Sequence, residues 1–188
     1  MIPTKDAKKL GEIASEINAC TLCPLSKTRT LAVPGEGPQN ARILLVGEAP
    51  GRNEDKTGKP FAGAAGNILT EALTKAEINR ADCFITSVIK CRPPGNRKPN
   101  DDEIDACCTH LARQIASVNP DVIVPLGNVA LTTLTGLKNI GEMHGKQITM
   151  TNKTYVPAYH PAAVLYNRKL MEKLIWDLSV AASITSDD

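Results

Sequence analysis

Short apolar runs alternate along the chain with stretches in which apolar residues recur at helical spacing. The short runs, which predict buried strands, occupy residues 41–46, 83–89, 121–125 and 153–158. The helical spacing predicts helices over 4–18, 63–75, 127–135 and 163–182, and one from an Asn100 cap with a Glu103 capping box to 117. This alternation predicts an α/β fold: a three-layer α/β/α sandwich around a four-stranded parallel sheet, in a single domain over 1–188.

Parallel strands bring the loops at their carboxyl ends to one edge of the sheet, where such folds place their sites. Four loops are therefore expected together, over 47–59, 90–99, 126–129 and 159–167. Prolines and glycines also predict a loop over 20–40, after the N-terminal helix, and polar residues predict a frayed tail at 185–188.

Composition restricts the classes of function. Lys and Arg number 22 against 20 Asp and Glu, a net charge of +2, so nucleic-acid binding would need a local basic patch. Aromatic residues make up 3%, too few for a base-stacking platform. The sequence shows neither an apolar run near the ~18 residues that span a bilayer nor a signal-peptide core, which predicts a cytoplasmic protein without a membrane partner.

The six cysteines form the first candidate for chemistry. In an intracellular chain, the spacing Cys20-x-x-Cys23, followed by Cys91 and Cys107, favours a metal site over a disulfide framework. Four thiolates suit zinc or an iron–sulfur cluster, and buried core thiols are the alternative. Cys83 lies within a predicted strand and is expected in the core, and Cys108 is expected to be a spare small hydrophobe.

The loop GEAPGRNEDKTGKPFAG, residues 47–63, follows a buried strand directly and is rich in glycine. It matches neither nucleotide-binding glycine motif. Glu48, Glu54 and Asp55 are candidates for a general base or for orienting water. Glu48 comes one residue after the strand, which favours a site there over an ordinary solvated loop.

Two further loops carry candidate residues. The stretch KCRPPGNRKP places Lys90, Arg92, Arg97 and Lys98 together without a negative charge, which indicates phosphate contacts, with a solvated basic loop as the alternative. His160 follows a predicted strand and precedes a proline, which favours a site role. His110 and His144 are expected to be ordinary surface and loop residues.

Taken together, these motifs resemble family 4 of the uracil-DNA glycosylase superfamily, the iron–sulfur-containing type. The resemblance rests on CTLCPLSKTR, GEAPGRNEDKTGKPFAGAAGNIL, FITSVIKCRPPGNRKP, the Cys107 region, VIVPLGNVA and YHPAAVL, which span positions 20–167 in the order of the family. It implies a monomeric enzyme that hydrolyses the N-glycosidic bond of uracil in single- or double-stranded DNA, with water and without a lysine Schiff base.

The resemblance also implies roles for individual residues. It assigns a [4Fe–4S] cluster to Cys20, Cys23, Cys91 and Cys107. It assigns catalysis to Glu48 and His160, and the base pocket to these two with Gly47, Ala49, Phe61 and Ser87. DNA contacts are expected from Lys90, Arg92, Arg97, Lys98 and Arg168, together with Lys169, and a wedge into the base stack from Val164 or Leu165.

Ser87 is the one departure from the family pattern, which has asparagine there. The serine reaches less far and makes one contact fewer, at a cost of about 1–3 kcal/mol in discrimination between bases. A glycosylase with broadened base specificity and a lesion-binding protein with weak catalysis are therefore alternatives. A zinc-stabilised binding domain is a third.

Overall fold

A central sheet organises the computed structural model, which describes residues 9–185. The first residues of the predicted helix 4–18 and the last three of the predicted tail lie outside the described residues. Within them the sheet has the strand order β2-β1-β3-β5-β4. Its strands are β1 (Ile43–Gly47), β2 (Phe84–Ser87), β3 (Val122–Pro125), β4 (Ile148–Met150) and β5 (Lys153–Tyr155).

Four of these strands are parallel, as the sequence predicted, and the α/β class is confirmed. The predicted four-stranded, all-parallel sheet is corrected by β4, which pairs antiparallel with β5 at the edge. β4 is mostly exposed, so it lacks the apolar run that marks a buried strand. The turn between the two strands uses Thr151 and Asn152, both with positive φ, rather than the Asn-Gly or Asp-Gly pair that signals a hairpin.

Helices cover both faces of the sheet. They are α1 (Leu10–Ala19), α2 (Arg52–Thr57), α3 (Ala64–Lys75), α4 (Asp101–Val118), α5 (Asn128–Thr135), α6 (Ile140–Met143), α7 (Pro161–Tyr166) and α8 (Leu170–Thr185). On one face Leu45 packs with Leu69 of α3 and Leu178 of α8. On the other Leu44 packs with Leu111 of α4. Because alternate residues of β1 point to opposite faces, burial on both sides explains its unbroken apolar sequence.

Two helical predictions need correction. The single helix predicted over 163–182 is two helices, α7 and α8, because Asn167 has an extended backbone that ends the first. The loop predicted over 47–59 contains α2, which begins after Gly51 and ends at Gly58 in the left-handed conformation. A six-residue polar helix has too few apolar positions to show periodicity. The capping box of α4 is confirmed, with the Asn100 N–H donating to Glu103 at 2.8 Å.

Candidate active site and cysteine pocket

A cavity of about 370 Å³ opens at the carboxyl edge of the sheet. The structure brings Glu48, Ala49, Phe61, Ser87 and His160 together in its wall. Gly47 lies behind this wall, because it pairs with Ser87 in the sheet register and a Cβ on it would lie 2.8 Å from the Phe61 ring. Three of the four loops predicted to meet at this edge, 47–59, 90–99 and 159–167, line this cavity. The fourth, 126–129, does not line it, but its Gly127 lies against His160, where an added Cβ would be 3.0 Å from the histidine Cβ.

The backbone of Phe61 is unusual, because its φ of +48° lies in the left-handed region that bulky residues avoid. Its ring centroid lies 5.8 Å from that of His160, at a tilt of 34°. The Phe61 peptide group packs directly against Gly66, since a Cβ at that position would lie 1.7 Å from the Phe61 carbonyl oxygen. This close approach fixes the aromatic face inside the cavity.

Arg80 holds the same turn in place, and no sequence motif indicated this role. Its guanidinium donates to the carbonyl oxygens of Pro60 at 3.1 Å and of Phe61 and Gly66 at 3.3 Å each. It also pairs with Glu36 at 3.3 Å. Because Arg80 is distant in sequence from all these partners, only the fold reveals that it positions Phe61.

Replacing Gly66 with alanine is expected to lower the free energy of unfolding by about 1–3 kcal/mol, because the added methyl overlaps the Phe61 carbonyl. Urea-induced unfolding measures the effect. Gly11→Ala in α1 is the matched control, since a Cβ there meets nothing within 4 Å, and it should be neutral or slightly stabilising. Equal stability of the Gly66→Ala protein and the parent would contradict the packing described for Phe61.

His160 caps the N-terminus of α7. Its Nδ1 accepts the backbone N–H of Ala162 at 3.1 Å, so the neutral ring carries its hydrogen on Nε2. Burial lowers its pKa to about 4, and the imidazole is therefore uncharged near neutral pH. The ring lines the cavity as a neutral hydrogen-bond donor.

The three carboxylates of the glycine-rich loop have different environments. Burial raises the pKa of Glu48, which lines the cavity, and the positive charge of Lys98 opposes this rise. Glu54 accepts the backbone N–H groups of Gly51, Ala62 and Gly63, at 2.8–3.1 Å. Asp55 is buried and accepts the N–H of Thr30 at 2.9 Å. Glu54 and Asp55 thus shape the loop, and Glu48 is the carboxylate suited to chemistry.

Four cysteines line a second pocket, between α1, α4 and the loops that follow α1 and β2. They are Cys20, Cys23, Cys91 and Cys107. Arg29 donates to the Cys91 sulfur at 3.0 Å. Burial raises the pKa of Cys107 to about 11, so its thiol is protonated near neutral pH unless a metal binds it. Among residues 9–185, however, no three His, Cys, Asp or Glu side chains are grouped to hold a single metal ion.

The other two cysteines lie outside this pocket. Cys83 is buried in the core as predicted, and burial raises the pKa of its thiol to about 12. Cys108 is exposed on α4, so it does not act as the spare small hydrophobe predicted for it. Helical phase separates the adjacent pair, because Cys107 lies on the buried face of α4 with Glu103, His110 and Leu111.

The sequence model of the uracil DNA glycosylase superfamily matches residues 34–179. The chain belongs to the uracil DNA glycosylase superfamily. It is similar to the Type-4 uracil-DNA glycosylase of Saccharolobus solfataricus, with 45% identity over 177 residues, 87% of this chain and 82% of the relative. The corresponding Type-4 protein of Thermotoga maritima is 44% identical over 182 residues, 94% and 95% of the two chains. A Type-5 uracil-DNA glycosylase of Pyrobaculum aerophilum is 30% identical over 153 residues, 72% of this chain and 67% of the relative.

Two DNA contacts predicted for this glycosylase-family chain are corrected by burial. Lys90 is 1% exposed and donates to Thr86 Oγ1 at 2.7 Å and to the Ser87 carbonyl at 2.5 Å, so it cannot reach phosphate. Val164 is fully buried, which removes it as a wedge, whereas Leu165 is 46% exposed. Lys90 also lines the cysteine pocket and thereby links it to Ser87, which lines the first cavity.

The remaining basic residues stay near the surface of this glycosylase-family fold. Lys98 and Arg168 are exposed, and Arg168 lies 3.7 Å from Glu71. Arg97 lines the cavity mouth and pairs with Glu103 through both guanidinium nitrogens. Arg92 is half-buried and donates to Asn96. Among the described residues, no helix is both long and apolar enough to cross a membrane.

Proposed function

We propose that this chain is a monofunctional uracil-DNA glycosylase that hydrolyses the N-glycosidic bond of uracil in DNA and leaves an abasic site. The observation that carries the proposal is the convergence of Glu48, Phe61 and His160 on one cavity. The resemblance to relatives named Type-4 uracil-DNA glycosylase over most of the chain supports it.

The cavity residues account for the chemistry of a flipped nucleotide, whose extrusion from the duplex costs a few kcal/mol. Phe61 offers a face on which the base stacks, and Ser87 offers a hydroxyl to its polar edge. Bond cleavage develops negative charge on uracil, which the Nε2–H of neutral His160 stabilises in the manner of an oxyanion hole. Glu48 orients or deprotonates water and offsets the positive charge that develops on the sugar.

The DNA would approach along the rim of this cavity. Exposed Lys98, Arg168 and Lys169 would supply phosphate contacts, together with Arg92 and with Arg97, which lines the cavity. Leu165 is the remaining candidate for the side chain that inserts into the base stack. Tyr166, the next residue, is 92% exposed and adds an aromatic side chain that no sequence motif indicated. We propose that the protein acts as a monomer on uracil in single- or double-stranded DNA.

The four cysteines of the second pocket would hold a [4Fe–4S] cluster. Hydrolysis needs no electron transfer, so a bound cluster would serve to crosslink the loop after α1, the loop after β2 and α4. Arg29, whose guanidinium already contacts Cys91, fits an anionic group in this pocket. Purified protein should be brown, with iron matching one cluster per chain. A colourless zinc-loaded protein would favour the zinc-stabilised alternative instead.

The test of the function is an excision assay on matched oligonucleotides that carry uracil, hypoxanthine, xanthine or a thymine mismatch, with alkali to reveal abasic sites. Release of uracil supports the proposal. Release of several bases would indicate broadened specificity. A cluster-loaded protein that releases none would overturn the proposal and favour a lesion-binding role.

The excision rate should fall in acid through the titration of Glu48, because its pKa lies above the ordinary value and ionised Glu48 is the active form. His160 does not share this limb, since it stays neutral down to a pH of about 4. Lys98→Ala removes a charge that lowers the Glu48 pKa, so the acid limb should move to higher pH. Single-turnover rates at saturating enzyme measure this shift.

Lys169→Ala is the control for that experiment, because it removes an exposed positive charge that does not act on Glu48. Its acid limb should coincide with that of the parent. Equal shifts in the two variants would mean that DNA binding, not Glu48, sets the pH dependence.

Replacing Ser87 with asparagine is expected to raise the preference for uracil over the other deaminated bases by about 10-fold, as one added polar contact predicts. The measurement is the ratio of excision rates on the matched oligonucleotides. Ser87→Ala is the opposite control, since it removes the hydroxyl and should lower the preference. An unchanged preference in both variants would remove Ser87 from the reading of the base.

A further inference from the structure

The buried side chain of His110, on α4, raises the question of which group accepts a hydrogen bond from its ring N–H. Its ring is 6% exposed, and both Nδ1 and Nε2 are buried without a hydrogen-bond partner among the described residues. Leaving a buried N–H unpaired is energetically costly, and such groups are rare in folded proteins. His110 was predicted to lie at the surface, and its burial corrects this prediction.

The ring lies in the wall of the cysteine pocket. It is three residues after Cys107 on the buried face of α4, and it lines the pocket together with the four cysteines, Arg29 and Lys90. In either protonation state an imidazole carries at least one N–H, so His110 always brings a donor to this wall.

The charged groups around His110 do not accept this hydrogen bond. Lys90 and Arg113 act on the ring as neighbouring positive charges and are donors themselves. Glu16 also acts on it, but its carboxylate accepts from Arg113. Sulfur is the acceptor that the pocket concentrates, and Arg29 already donates to one sulfur, that of Cys91.

We propose that His110 donates a ring N–H to a sulfur of the iron–sulfur group held by the four cysteines, as a positioning and tuning residue. The inference rests on the cluster assigned under the proposed function. Hydrogen bonds to cluster sulfurs favour the more negative, reduced state, and outer-shell donors also hold their ligands in place. His110 should therefore raise the reduction potential of the cluster and slow its loss.

The test compares wild-type, His110→Phe, His110→Gln and Thr109→Ala proteins, each loaded with cluster. Thr109 is the exposed neighbour on the same helix and serves as the control. Resonance Raman spectra in H₂O and D₂O report the hydrogen bond through the Fe–S stretching bands, and a redox titration reports the potential. Both readouts are independent of uracil excision.

His110→Phe should lose part of the deuterium-sensitive shift, have a lower reduction potential and lose iron faster to a chelator. His110→Gln, which keeps an N–H donor, should recover part of each effect, and Thr109→Ala should match wild type. A His110→Phe protein with the deuterium shift and potential of wild type would overturn the inference. Absence of iron from wild type would instead contradict the cluster assignment itself.

If the His110→Phe protein does not bind the cluster, NMR of the histidine rings in the wild-type protein still tests the hydrogen bond. The chain has three histidines, so ¹⁵N-histidine labelling with the His144→Gln and His160→Asn variants assigns each ring. A hyperfine-shifted, slowly exchanging N–H on His110 supports the hydrogen bond to the cluster. A His110 ring without such a shift overturns it.

Discussion

Replacing Glu48 with glutamine is expected to lower the single-turnover rate of uracil excision by about 10²–10⁴-fold, the usual contribution of a general base. Glutamine has the same shape as glutamate but neither takes a proton from water nor offsets positive charge on the sugar. Because Glu48 is not a phosphate contact, the Kd for uracil-containing DNA should change little. Rates at saturating enzyme and a binding titration separate the two effects.

Glu54→Gln is the matched control for this experiment. The Glu54 carboxylate also lines the cavity, yet it is occupied by three backbone N–H groups, of which an amide oxygen still accepts some. Most of the excision activity should therefore remain. A larger loss for Glu54→Gln than for Glu48→Gln would transfer the role of the base to Glu54.

Strands β1, β2 and β3 were predictable because burial on both faces leaves an unbroken apolar run, whereas the exposed edge strand β4 lacks one. The burial of Lys90 was predictable in the same way. Val88 and Ile89 continue the buried run after β2, and Cys91 on the other side is buried as well. A lysine between buried neighbours is more plausibly internal than phosphate-facing. The prediction that Lys90 contacts phosphate rested on the basic composition of the loop and not on its buried neighbours.

The sequence left the choice between Val164 and Leu165 as the wedge open for a related reason. Which of two adjacent helical residues faces the core depends on the residue at which the helix begins. The sequence placed one helix over 163–182, whereas α7 begins at Pro161 and buries Pro161 and Val164, three residues apart. For Cys107 and Cys108 the start of α4 was fixed by its capping box, and the buried member of the pair was predicted correctly.

Other parts of the site could not be read from sequence, because they depend on contacts between distant positions. The left-handed backbone of Phe61 is held by Gly66 and by Arg80, which lies in the segment that follows α3. The unpaired ring of His110 likewise becomes visible only when α4 packs beside the cysteines. Motifs indicated which residues meet, but not the side chains that hold them in position.

Replacing His160 with asparagine is expected to lower the excision rate by about 10²–10³-fold, as for the loss of one donor to a developing anion. The asparagine oxygen can still accept the Ala162 N–H at the N-cap of α7, so stability should change by less than ~1 kcal/mol. His160→Ala should show the same loss of rate together with a loss of about 0.5–2 kcal/mol of stability from the missing cap. Single-turnover rates and urea unfolding measure the two quantities.

The pH dependence of this loss identifies the form of His160 that acts. Because burial holds its pKa at about 4, the imidazole is neutral throughout the range from pH 5 to 8, and the ratio of wild-type to His160→Asn rates should be constant there. A protonated imidazole acting as an acid would instead give wild type a growing advantage as the pH falls, since the charged fraction would increase. A constant ratio therefore supports a neutral Nε2–H donor, and a rising one would assign the stabilisation of the uracil anion to a cation.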